Sequence, residues 1–147
     1  MKNIMTALIG VLGILAAVHV NAANYTVKEL NNGPAGTFMF DPAFLHAQPG
    51  DTVTFEPTDL GHNSESVLIP AGAKPWKSEI SQSLTVTLSQ PGVYIYQCAP
   101  HNLFGMAGVI QVGAAVNKAA ALKQAQAMEQ KQLMNQGRIT QTINKIQ

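Results

Sequence analysis

The sequence predicts an all-β sandwich or barrel followed by a helical tail. Short β-branched and aromatic runs separated by Gly/Pro turns fill residues 23–112. After Gly113 the composition changes abruptly to Ala, Gln, Lys, Leu and Met, all good helix formers. Of the 147 residues, 46% are apolar and 12% charged, enough apolar side chain for a packed core and too much for wholesale disorder. The formal net charge of +1 excludes a strongly basic nucleic-acid binder, and a single Cys excludes an intramolecular disulfide framework.

The N-terminus reads Met1-Lys2-Asn3, then an apolar run from Ile4 to Val18 that ends in Val20-Asn21-Ala22. One positive charge, an apolar stretch and small residues at −3 and −1 form a secretory signal peptide cut after Ala22. The competing reading is a membrane anchor, but about 15 residues fall short of the roughly 20 that a spanning helix needs. His19 leaves with this segment. No later stretch is long enough to span a bilayer, so a soluble exported product is expected.

In the mature chain, Tyr25–Leu30 is a short alternating strand ended by Asn31-Asn32-Gly33-Pro34. Phe38–Phe40 and Phe44–Ala47 flank Asp41-Pro42, a strand broken by a bend. Gln48-Pro49-Gly50-Asp51 turns the chain into Thr52–Phe55. Leu84–Leu88 alternates cleanly, and Pro91-Gly92 leads into Val93–Tyr96. Ala107–Val112 is the last strand, closed by Gly113. Residues 115–135 read as a helix with a poor apolar stripe, because Glu129 interrupts the line from Leu122 and Ala125 to Leu133. Asn135-Gln136-Gly137 is its stop, with Gly137 as a left-handed C-cap. Ile139, Ile143 and Ile146 then share one face of a second helix. The β region carries three lysines against seven acids, net −4, and the tail five bases against Glu129, net +4. Two solvated surfaces in weak attraction explain this split better than a basic docking tail.

One segment concentrates reactive side chains: Cys98-Ala99-Pro100-His101-Asn102-Leu103-Phe104-Gly105-Met106, a C-x-x-H-x-x-x-x-M loop between two strands. A lone Cys in an oxidising compartment is buried and inert, pairs between chains, or is held by a metal. Soft sulfur ligands with imidazole suit copper, and two His, one Cys and a long axial Met form the blue electron-transfer site. His62, in the polar loop Thr58-Asp59-Leu60-Gly61-His62-Asn63, is the candidate second His. Each residue alone reads more simply as core or surface. Together the only Cys, two of the mature chain's three His and a Met fall in the required contexts. The remaining one, His46, has no soft partner nearby and reads as structural or surface.

Gly61-His62-Asn63, Cys98-Ala99-Pro100-His101 and Gly105-Met106 resemble the blue copper proteins, or cupredoxins, and within them the pseudoazurins. Phe40-Asp41-Pro42, Pro49–Phe55, Pro57-Thr58-Asp59, Lys77-Ser78 and Pro91–Tyr94 extend the likeness. So does the two-helix tail, which plastocyanins lack. The resemblance implies a cupredoxin-like Greek-key β-sandwich with a C-terminal extension of two α-helices. The implied organisation is 1–22 signal peptide, 23–113 copper-binding domain and 114–147 helical extension. It implies one type 1 copper per chain, held by His62, Cys98, His101 and Met106. It also implies that Asn63 ties the two ligand loops by hydrogen bonds, and that electrons leave through His101. Pro100 has no N–H to offer the Cys98 sulfur.

The implied function is periplasmic single-electron transfer by a monomer, without enzymatic activity and without nucleic acid or a membrane span in the mature protein. Docking with a redox partner such as a copper nitrite reductase or a c-type cytochrome would be transient, over an apolar collar around His101. Pro100, Leu103 and Phe104 of the ligand loop and Phe38, Met39 and Pro42 of the bend are its candidates, although ordinary core explains Phe38 or Met39 equally well. Pseudoazurins commonly ring this collar with lysines, whereas Leu60 and Gln97 occupy two positions that are often Lys. A copper carrier or buffer would use the same ligands. A metal-free binding module would leave Cys98 inert, and a mononuclear copper oxidase would need an open coordination position and an acid/base pair.

Overall fold

A computed structural model describes residues 21–147. The expected signal peptide therefore lies outside the described residues except for its last two positions. Eight strands are followed by two helices: β1 Asn24–Gly33, β2 Gly36–Asp41, β3 Phe44–Ala47, β4 Thr52–Glu56, β5 Glu65–Leu68, β6 Leu84–Thr87, β7 Gly92–Gln97, β8 Ala107–Val112, α1 Lys118–Glu129 and α2 Arg138–Asn144. They form two four-stranded sheets, ordered β2-β1-β4-β6 and β3-β8-β7-β5. Each sheet contains one parallel pair, β1 with β4 and β3 with β8, among antiparallel neighbours.

Period-2 alternation places Val27, Phe40, Val53 and Phe55 of the first sheet against Leu45, Tyr94, Tyr96, Ile110 and Val112 of the second. Aromatic edges lock this core: Tyr96 meets Phe40 at 4.8 Å and Phe55 at 4.9 Å in T-shaped pairs. Gly108, paired with Tyr96 across β7 and β8, makes room for that ring. A Cβ there would lie 2.4 Å from the Tyr96 phenol oxygen.

β7 is buried on both faces, because the tail covers its outer side. Val93, Ile95, Ala107 and Val109 pack against Ala121, Ala125, Ile139, Ile143 and Ile146. The predicted Ile face of the second helix is thus its buried face, and all three isoleucines are nearly inaccessible. The first helix is shorter than predicted. It docks through small Ala121 and Ala125 rather than through a leucine stripe, which is why its apolar pattern was weak. Glu129 does not disturb that contact. Its carboxylate accepts hydrogen bonds from the Ile139 and Thr140 backbone N–H groups and the Thr140 hydroxyl, capping α2. Gly137 is left-handed as expected, with φ 83°, but it opens α2 instead of closing α1. Among the described residues no helix is long and apolar enough to cross a membrane.

Two further differences concern the site. β1 continues three residues past Leu30, so Asn31 belongs to a strand rather than to the turn its Asn-Asn-Gly-Pro composition indicated. β5 was not predicted, because its four residues are all half-buried and show no alternation. It pairs with β7 across a register shift, beside the His62 loop.

Candidate metal centre

The loop between β4 and β5 presents His62, and the loop between β7 and β8 presents Cys98 and His101. Both lie at the same end of the sandwich. The His62 loop is clamped from two sides. The Asp59 N–H donates to the Glu29 carbonyl of β1, and the Ser81 N–H to the His62 carbonyl. In the ligand loop, the Cys98 N–H donates to the Met106 carbonyl at 2.9 Å, joining the loop's ends. A 3₁₀ turn, Asn102–Phe104, ends at Gly105 with φ 70°. A side chain on Gly105 would meet the Met134 carbonyl at 2.6 Å, so glycine suits both the turn and the passing tail.

These constraints bring three donor atoms together. His62 Nδ1, Cys98 Sγ and His101 Nδ1 all lie within 4.8 Å of one another. The two nitrogens approach to 3.1 Å, and the sulfur lies 3.7 Å from His62 Nδ1 and 3.4 Å from His101 Nδ1. Cys98 and Met106 are fully buried in the same core cluster, and His101 is partly exposed.

The surroundings keep the two imidazoles in their metal-binding forms. His62 Nε2 lies 3.0 Å from Asn31 Oδ1, an acceptor. The Nε2 nitrogen therefore carries the proton, and the Nδ1 lone pair faces Cys98. Burial lowers the pKa of His62, the neighbouring His101 lowers it further, and Asp59 acts the other way. Burial also lowers that of His101, so both imidazoles are held neutral. Burial raises the pKa of the Cys98 thiol, backbone N–H groups of Asn63 and His101 oppose the rise, and the charges of Glu29 and Glu65 add to it. In the absence of a cation this pocket disfavours a bare thiolate, which is the form a soft metal would take up. Two neutral imidazole nitrogens, a thiol and a buried thioether fit copper in both oxidation states better than they fit a hard cation.

Asn63 holds the expected position between the loops: its Oδ1 accepts from the Ala99 N–H at 2.8 Å, and its Nδ2 donates to the Ser78 carbonyl. Asn31, which fixes the His62 ring, was missed. The clue was the two-residue period Val27, Glu29, Asn31, which continues through the apparent turn and brings Asn31, itself exposed, out on the same side of β1. Phe38 stacks on His101 at 4.5 Å and 15°, and on Phe104 at 5.3 Å. It belongs to the collar. Met39 does not: alternation turns it to the face opposite Phe40, where it packs beside Leu30 and Gly33 and is 2% exposed. Pro42 is exposed beyond the end of β2. The tail adds unforeseen residues. The Leu133 N–H donates to the Leu103 carbonyl, and Leu133 and Met134 are exposed there.

A two-sheet frame holding two imidazoles, a buried thiol and a buried thioether at one end defines a blue copper protein. This is a class of one-copper electron carriers and not of enzymes. The family model described as copper binding proteins, plastocyanin/azurin family, matches residues 27–113. The chain belongs to that family. It is 45% identical over 96 residues to a pseudoazurin of Paracoccus pantotrophus, covering 64% of this chain and 66% of that one. The solved pseudoazurin of Sinorhizobium meliloti superposes with a TM-score of 0.72 at 41% identity, over 84% of this chain and 98% of the other. That of Hyphomicrobium denitrificans gives 0.73 at 35%, over 85% and 99%. Both structural matches extend beyond the β region, so the helical tail is shared with pseudoazurins.

Proposed function

We propose that this chain is a periplasmic single-electron carrier whose type 1 copper is held by His62, Cys98, His101 and Met106. The convergence of His62 Nδ1, Cys98 Sγ and His101 Nδ1 carries the proposal. Bound copper would supply the Cu(I)/Cu(II) couple. The chain's part is to hold one donor arrangement for both states. The Asn31–His62 and Asn63–Ala99 hydrogen bonds resist movement of either loop, and the full burial of Cys98 and Met106 keeps water from the sulfur atoms. The chain would mature by cleavage after Ala22 into a copper domain, residues 23–113, and a helical extension, residues 114–147.

Electrons would leave through the His101 ring, the partly exposed member of the set. Leu103 at 50% and Leu133 at 73% exposure give it an apolar rim. Brief docking with a partner such as a copper nitrite reductase or a c-type cytochrome fits such a small surface, below about 1,200 Å². Steering by charge is weak. Leu60 is 77% exposed where a lysine is common. Glu65 takes up both Gln97, at 2.9 Å, and Lys77, at 3.1 Å. The association rate with an acidic partner is therefore expected to change by less than about threefold between low and physiological salt, since few charges are there to be screened. Stopped-flow kinetics at varied ionic strength would show a steep fall if this is wrong.

Two measurements test the function. Titration with Cu(II) should give an intense blue colour saturating at one equivalent, and coulometry should then pass one electron per chain reversibly. Rapid surrender of copper to a mild chelator, without reversible electrochemistry, would favour a copper buffer instead. Pro100→Ala restores an N–H beside the sulfur. A thiolate with more donors is a poorer electron source, so the reduction potential should rise, and voltammetry showing a fall would reject this account.

A further inference from the structure

Glu29 lies on the inward face of β1, where a carboxylate is out of place. It is 0% exposed, and neither carboxylate oxygen has a hydrogen-bond partner. Its partner in the sheet register is Phe40, whose ring packs against Tyr96 of the opposite sheet. The Tyr96 phenol oxygen is likewise buried and unpartnered. Tyr96 stands two positions before Cys98 at the end of β7, so the carboxyl shares the low-dielectric interior with the sulfur. The other charged groups near Glu29 lie elsewhere. Lys28, Asp41 and Glu56 belong to the outward register of the same sheet, and Asp59 turns its carboxylate to the Asn31 N–H. From β7 and the loop that follows it, Tyr96 and Cys98 are the titratable groups that feel the Glu29 charge. No cation among the described residues pairs with it, since the only salt bridge there joins Lys77 to Glu65.

An unpaired carboxylate in such a place is costly, and the group neutralises by taking a proton. Burial pushes its pKa up to about 7. Negative charge added at the sulfur end of the core must push it higher still, because little solvent screens the two sites from each other.

We propose that Glu29 is a proton site linked to the electron site, taking up a proton as the centre is reduced and releasing it as the centre is reoxidised. This rests on the copper reading above. The reducing partner gives one electron, and solvent gives one proton, which forms an O–H bond on a Glu29 carboxylate oxygen. Oxidation returns the electron to the acceptor and the proton to water. Linkage is reciprocal, so a proton bound more tightly in the reduced protein makes the potential fall as pH rises through the neutral range.

The test uses the full mature chain, with Glu29→Gln as a neutral isostere and Glu29→Met as a second variant that needs no hydrogen-bond partner. The blue spectrum is recorded for each protein first, and its absence from the unsubstituted chain overturns both this proposal and the copper reading. The reduction potential of the unsubstituted protein should fall across pH 7, and those of both variants should be flat there. A flat unsubstituted profile, or an equal slope in the variants, overturns the proposal. The metal-free protein gives an independent reading by carboxyl-carbon NMR. Glu29 should titrate near 7, and titration in the ordinary carboxylate range overturns the proposal even if the copper site forms.

Discussion

Cys98→Ser is expected to abolish the blue absorption and the reversible one-electron wave while leaving the fold intact. The side chain is fully buried and its sulfur lies within 3.7 Å of both imidazole Nδ1 atoms. A serine hydroxyl is nearly the same size, so the metal-free protein should lose only about 1–2 kcal/mol, the usual cost of a more polar buried group. The metal-dependent effect is far larger. Copper that binds only the folded chain stabilises it by about 4 kcal/mol at a thousandfold excess over its dissociation constant. The intense colour depends on a soft sulfur donor that serine cannot supply. Thermal melts with and without Cu(II) should separate widely for the unsubstituted protein and nearly coincide for the variant. A variant that stays blue would end the thiolate assignment. One that loses copper stabilisation but also melts far lower without metal would show that Cys98 serves mainly in packing.

The ligand loop was legible because its donors are contiguous. Cys98, His101 and Met106 stand in nine residues between two strands whose alternation is unambiguous, and β8 has the predicted ends. His62 was legible only by elimination and resemblance, since it comes from a loop 36 residues away. What orients it was not legible. The Asn31–His62 hydrogen bond spans 31 residues, and the Asn-Asn-Gly-Pro composition that marks a turn hid the fact that Asn31 lies in a strand. Local pattern fails in the same way at Glu29, Glu129 and Arg138. Counted by sequence, they are charges on two weakly attracting surfaces. Folded, Glu29 is sealed in the core, Glu129 caps a helix and Arg138 binds backbone carbonyls. A charge pattern reports net sign, whereas the role of each charge is fixed by tertiary contacts.

Arg138 carries the second large expected effect. It opens α2, and its half-buried guanidinium reaches back about a hundred residues in sequence. Nη1 donates to the Phe38 carbonyl at 2.7 Å and the Gly105 carbonyl at 3.0 Å, and Nη2 to the Thr37 carbonyl at 3.2 Å, with the Ala35 carbonyl at 3.4 Å. One side chain thus joins the tail to β2 and to the ligand loop. Phe38 needs the support. Its φ of 45° is left-handed, a conformation that costs a non-glycine residue about 1–3 kcal/mol and persists only where neighbours enforce it. Arg138→Ala removes the charged donor from four carbonyls and should cost about 2–4 kcal/mol in denaturant unfolding. Arg138→Lys should recover less than half, because a single ammonium cannot reproduce the planar fork. If the tail matters to the site, the loss is not confined to stability. Phe38 is free to leave its stack on His101, the ring gains solvent, and more reorganises on each transfer. The electron self-exchange rate of copper-loaded Arg138→Ala, measured by NMR line broadening, should then fall severalfold although all four ligands are unchanged. An unaltered rate beside the expected loss of stability would make Arg138 a structural clamp and nothing more.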